Sequence, residues 1–211
     1  MLQNILLIIT VISIVFSHAY KSGAPPDVCD HMTPEHGVPP QPFPSPYIIN
    51  LDKTRVKSGS KVIVSIVSTN ESFKGFFLQA RDEKNNTIGT FDKVPNTKLV
   101  NCNLAIKVKS ECYPPLRRLI RQRTHFGFRA LLSAQEKCYE LLALNNALNA
   151  VPWSVAENAI THSNSNDKSN ISIPWTAPNG IKNQKINFIL TVAKNGGEFW
   201  VGQKSGVVII I

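Results

Sequence analysis

Apolar and polar residues alternate with period two along several stretches of this chain, and each such stretch predicts a strand. Lys61 to Ser68 (KVIVSIVS) places Val62, Val64 and Ile66 on one face and Ile63 and Val67 on the other. Gly75 to Arg81 (GFFLQAR) sets Phe76, Leu78 and Ala80 against Phe77, Gln79 and Arg81. Lys185 to Ala193 (KINFILTVA) aligns Ile186, Phe188, Leu190 and Val192. Asn170 to Trp175 alternates Ile171, Ile173 and Trp175 with Ser172 and Pro174, and the proline predicts an edge or bulge position. Tyr47 to Leu51, Ile88 to Phe91, Glu198 to Gly202 and Val207 to Ile211 are shorter strand candidates. Ser58-Gly59-Ser60, Asn85-Asn86, Asn179-Gly180 and Asn195-Gly196-Gly197 supply turns between them. Many short strands separated by turns predict an antiparallel β-sandwich, with Trp175 and Trp200 in its core.

Three segments depart from the strand pattern. Met1 to Asn4 is uncharged, Ile5 to Phe16 is apolar, and Ser17-His18-Ala19 offers small residues at a cleavage site. Residues 1–19 therefore predict a secretory signal peptide, and the apolar run is too short to span a bilayer. Tyr20 to Pro46 holds eight prolines and predicts an extended loop laid on a surface and pinned by Cys29. Residues 103–156 lack period-two alternation. Ser133-Ala134-Gln135-Glu136 there is a capping box, with Leu131, Ala134, Cys138, Leu141, Asn145 and Leu148 at helical spacing. This segment reads as a partly helical insertion.

The formal net charge is +9, and residues 103–156 carry eight Lys/Arg against three Asp/Glu, so +5 of it sits there and +4 elsewhere. Pro115 to Arg129 packs five arginines among apolar residues, a pattern able to bind anionic lipid. Four cysteines, Cys29, Cys102, Cys112 and Cys138, allow three pairings in an oxidising compartment. Asn70, Asn85 and Asn170 head glycosylation triplets. No nucleophile elbow, metalloprotease helix or phosphate loop is present. Asp30, His31, Glu35 and His36 lie in the proline-rich loop and read as surface or structural residues rather than metal ligands. His162 reads as a loop residue satisfied by backbone. No catalytic residue, metal or cofactor is assigned.

Five ordered motifs then resemble one family. Cys29-Asp30-His31-Met32 with Pro34 and His36-Gly37 is similar to the start of a reeler domain, and Phe73 to Arg81 to its F-x-G-F-x-x-Q-A-R motif. Cys102 with Asn158 to Asn164, Trp175-Thr176-Ala177-Pro178 and Phe199-Trp200-Val201 complete the set. A signal peptide followed by one reeler domain over residues 20–211 resembles insect defence proteins, including those linked to haemocyte nodule formation. The resemblance implies an immunoglobulin-like sandwich, secretion, and a Cys29–Cys102 disulfide. Cys112 and Cys138, which fall in the segment outside the family pattern, are then left as a candidate second bridge. In the family the second cysteine stands close to the threonine-histidine run. Residues 103–156 interrupt that pattern here, either as a surface insertion or as a gene-model artefact.

The expected function is a secreted innate-immunity protein. It would bind lipopolysaccharide, lipoteichoic acid or β-glucan on microbes, with the haemocyte surface as a further partner and no role for nucleic acid. Arg55, Lys57, Lys61, Lys74, Arg81 and Lys84 are the candidate contacts to anionic groups. Two alternatives are a matrix or adhesion module, and a membrane-disrupting protein acting through residues 115–129.

Overall fold

The computed structural model describes residues 20–102 and 157–211. The leader at 1–19 lies outside the described residues. So does the 103–156 segment, with its helix, its arginine-rich stretch, Cys112 and Cys138. The described residues form eleven strands: β1 (Tyr47–Leu51), β2 (Arg55–Val56), β3 (Lys61–Ser68), β4 (Gly75–Asp82), β5 (Thr90–Phe91), β6 (Thr97–Val100), β7 (Ala159–His162), β8 (Asn170–Thr176), β9 (Gln184–Ala193), β10 (Phe199–Lys204) and β11 (Val208–Ile210).

They build two sheets. The smaller has the order β1-β3-β8-β5, and the larger runs β2-β11-β9-β4-β7-β6 with β10 also paired to β9. All pairs are antiparallel except β2 with β11, where Ile209 faces Arg55 and Ile210 faces Val56 in parallel register. The expected antiparallel sandwich is present, with this one parallel pair at the edge of the larger sheet. The cause is long-range: the C-terminal strand returns beside a two-residue strand more than 150 positions earlier, a pairing no local pattern encodes.

The alternating faces meet between the sheets. Val62, Val64, Ile66, Ile173 and Trp175 from the small sheet pack on Phe76, Leu78, Ile186, Phe188, Leu190 and Val192 from the large one. Trp175 is fully buried, donates from Nε1 to the Ile88 carbonyl at 3.0 Å, and stands edge-on to Phe188. Full burial of such side chains is the main term holding the sheets together.

Pro174 lies within β8 between neighbours, not at an edge or a bulge. Its partner across the ladder is Ile63, whose N–H and C=O both turn the other way, to Asp52. The Pro174 carbonyl turns likewise to the Asp92 N–H at 2.9 Å. The missing proline N–H therefore costs no bond with β3.

Candidate functional site

The large sheet is covered on both faces. Seven of the eight β4 residues are buried, including the outward set Phe77, Gln79 and Arg81. What covers them is the proline-rich strap from Tyr20 to His36. It contains one short 3-10 turn, Pro26–Val28, and puts Val28, Cys29 and Met32 into a second cluster with Phe77, Val100, Cys102, Ala159 and Ile189.

A strap with so little regular structure has backbone groups to satisfy. The sheet's outward side chains do this. Gln79 Nε2 donates to the Cys29 carbonyl at 3.0 Å, and Arg81 Nη2 to the same carbonyl at 2.7 Å and to that of Asp30 at 3.2 Å. Arg81 Nε donates to Gln79 Oε1 at 2.8 Å and Nη1 to Asn85 Oδ1 at 2.9 Å. Thr191 Oγ1 donates to the Met32 carbonyl at 2.7 Å, and Thr161 Oγ1 accepts the Ala24 N–H at 3.0 Å. The Cys29–Cys102 disulfide ties the strap to the end of β6.

Between the strap and the outer sheet face lies a cleft of about 270 Å³. Val28, Met32, Gly75, Phe77 and Thr191 form its buried floor. Lys21, Lys74, Ser165, Asn195 and Gly196 are exposed and stand at its mouth. The lining contains two lysines, Lys21 and Lys74, and no carboxylate.

His162, the last residue of β7, is fixed in the cleft wall. It is therefore a strand residue and not a loop one. Its Nδ1 accepts the Phe76 N–H at 3.1 Å, and Nε2, which then carries the proton, donates to the Tyr20 carbonyl at 3.0 Å. Burial holds its pKa below the ordinary histidine value; bonds to the Phe76 and Tyr20 backbone oppose the shift, and the Lys168 and Lys98 charges add to it. Two glycines make room for this corner. A Cβ on Gly75 would sit 2.9 Å from the His162 ring. One on Gly23, at φ +92°, would sit 2.1 Å from the His162 carbonyl. Nearby, the buried Lys168 ammonium is ringed by the carbonyls of Lys74, Asn164 and Asn166 at 3.0, 3.0 and 2.6 Å.

The six basic residues expected to contact ligand do not form one surface. Arg81 is a correction: it is 8% exposed and its guanidinium is spent on the strap, so it is a structural residue. Its alternate position in β4 faces outward, but outward here means under the strap. Lys74 lines the cleft. Lys84 is exposed beyond the other end of β4, whose eight residues measure about 26 Å. Arg55 and Lys57 are exposed at the β2 edge, and Lys61, in the small sheet, pairs with Asp92. Asn70, Asn85 and Asn170 are all exposed. The loop acids and histidines are dispersed: His31 Nδ1 accepts the Thr33 N–H, Glu35 accepts the Tyr20 hydroxyl, and His36 packs edge-on to Phe199.

The model of the Reeler domain matches residues 27–111 and 153–210, leaving 112–152 between the two stretches. "Putative defense protein Hdd11" of Hyphantria cunea is 30% identical over 95% of this chain and 94% of its own length. "Putative ferric-chelate reductase 1" of Danio rerio is 27% identical over 97% of this chain, which spans 27% of that protein. The solved reeler domain of human F-spondin is 12% identical with a TM-score of 0.48, covering 82% of this chain and 94% of that one.

Proposed function

The chain belongs to the reeler-domain family, and on that premise we propose that it is a secreted defence protein that binds anionic components of microbial surfaces. Lipopolysaccharide and lipoteichoic acid are the components proposed, received at the mouth of the outer-face cleft. The role is binding rather than catalysis.

The observation that carries this reading is the cleft lining. Lys21 and Lys74 are its charged residues, and neither shares the lining with an acid. A concave, mostly apolar site with a few convergent polar groups is the usual form of a ligand pocket. Two ammonium groups at its mouth favour phosphate or carboxylate over a neutral glycan. The defence-protein names of the insect relatives support the same biological setting. Arg55, Lys57 and Lys84 lie elsewhere on the surface and add long-range attraction. The exposed Asn70, Asn85 and Asn170 are proposed glycosylation sites of an exported chain.

The test is a binding titration of the full secreted chain against lipopolysaccharide, lipoteichoic acid and neutral β-glucan at increasing salt. Binding to the two anionic ligands should weaken as salt screens the lysines. Lys21→Glu with Lys74→Glu should cost roughly tenfold or more in affinity, since like charges then face the ligand. Salt-insensitive binding that survives both reversals would point instead to hydrogen-bonded glycan recognition.

A further inference from the structure

We propose that the cleft itself takes an alkyl chain, the fatty-acyl tail of the amphiphile whose anionic head the mouth receives. The proposal rests on the reading above and adds to it what fills the site.

Most polar groups of the inner cleft are already spent, and the buried His36 Nδ1 is the one on its lining that lacks a partner among the described residues. Thr191 Oγ1 donates to the Met32 carbonyl at 2.7 Å, and both ring nitrogens of His162 are engaged by backbone, at Phe76 and at Tyr20. Asn195 Oδ1, at the mouth, accepts the Gly197 and Glu198 N–H groups. A sugar entering the floor would lose its water and find few partners, which is costly for hydroxyl groups. An alkyl chain has no polar groups to desolvate and would meet Val28, Met32 and Phe77. Size agrees. At about 270 Å³ the cleft falls just under the ~300–1,000 Å³ usual for whole drug-sized ligands, so it suits one chain segment. The lysines at the mouth fix the polarity of entry, tail inward and anionic head outward.

The experiment compares intact lipoteichoic acid, the same polymer deacylated, and palmitate, each titrated onto the full chain. Intact lipoteichoic acid should bind at least about tenfold tighter than the deacylated form, because each buried methylene is worth roughly fourfold in affinity. A fatty-acid series from octanoate to palmitate should gain affinity with length and then level off when the cleft is full.

Gly196→Phe is the blocking variant. Gly196 lines the mouth, its φ lies outside the left-handed range, and an added Cβ meets nothing within 4 Å, so the fold is preserved. In this variant intact and deacylated lipoteichoic acid should bind equally, so that the gain from acylation is lost. Ala193→Leu, on the same lining, should shorten the longest fatty acid that gains affinity.

Equal affinity for intact and deacylated polymer overturns the alkyl site and leaves the cationic mouth standing. Palmitate bound more tightly than intact lipoteichoic acid upholds the alkyl site and overturns the microbial ligand. Absence of binding to all three at low salt overturns both.

Discussion

The two faces of β4 are equally buried and are held by different physics. Phe76, Leu78 and Ala80 point inward, where apolar side chains of the two sheets simply leave water. Phe77, Gln79 and Arg81 point outward, where the covering layer is a proline-rich strap with almost no regular structure. There the sheet supplies donors, through Gln79, Arg81 and Thr191, to the strap's carbonyls. The inner face needs volume and apolarity. The outer face needs particular polar side chains at particular positions, and it leaves a cleft where the strap does not fit closely.

That contrast can be broken from either side. The largest effect is expected on the inner face. Trp175→Ala removes a fully buried ring and its bond to the Ile88 carbonyl, and should cost about 3–5 kcal/mol. Urea unfolding followed by far-UV dichroism and by a probe on the strap should then shift together, since the strap rests on the sheet. Next is the tether. Cys29→Ser with Cys102→Ser opens a 73-residue separation and should cost about 4 kcal/mol, acting mainly through the freed unfolded chain. If the two probes then separate, with the strap lost first, the outer face is a distinct cooperative unit.

A smaller and more local effect is expected at Arg81. Arg81→Met keeps much of the apolar stem and removes the fork that holds Cys29, Asp30, Asn85 and Gln79. Lost charged hydrogen bonds of this kind cost about 1.5–3 kcal/mol. Hydrogen exchange should quicken at Val28 to Met32 and stay slow in the central residues of β9. Uniform acceleration across both would show that the faces are one unit.

Much of the inner face was legible in the sequence, because alternation at Val62–Ile66, Phe76–Ala80 and Ile186–Val192 is a local property. The outer face was not. A polar residue at every second strand position reads as solvent-facing, which is why Arg81 looked like a ligand contact. Only the strap, some 50 residues earlier in the chain, turns that position into an interior. The cleft was hidden for the same reason. Its walls come from residues 20–36, 74–77, 162–165 and 191–196, so no single window of sequence contains it. Charge alone singles out Lys74, and nothing local distinguishes Lys21 from any exposed lysine. The two-residue β2 and its parallel partner β11 are likewise set by tertiary contact, with no period to read.

Acid offers the gentlest way to separate the faces, because two buried or half-buried imidazoles lie on the outer side. His162 is bonded to the strap at Tyr20, and His36 belongs to the strap's end and packs on Phe199. Burial lowers the pKa of both. Above the unfolded histidine pKa, about 6.5, both states are neutral and the shifts contribute nothing unfavourable. As pH falls below that value the unfolded chain takes up protons that the folded chain resists, so stability declines. Each group contributes at most about 1.4 kcal/mol per pH unit, and the decline ends once the folded pKa is passed. Thermal melts between pH 7.5 and 5 should therefore show a falling Tm. His36→Phe keeps the edge contact with Phe199 without a titrating group, and His162→Gln keeps hydrogen-bonding capacity at the β7 end. The double variant should flatten the decline across this window. If strap exchange quickens on acidification while β9 exchange holds, the protons act on the outer face alone. A Tm that falls just as steeply in the double variant would place the acid sensitivity elsewhere and remove the histidines from the account.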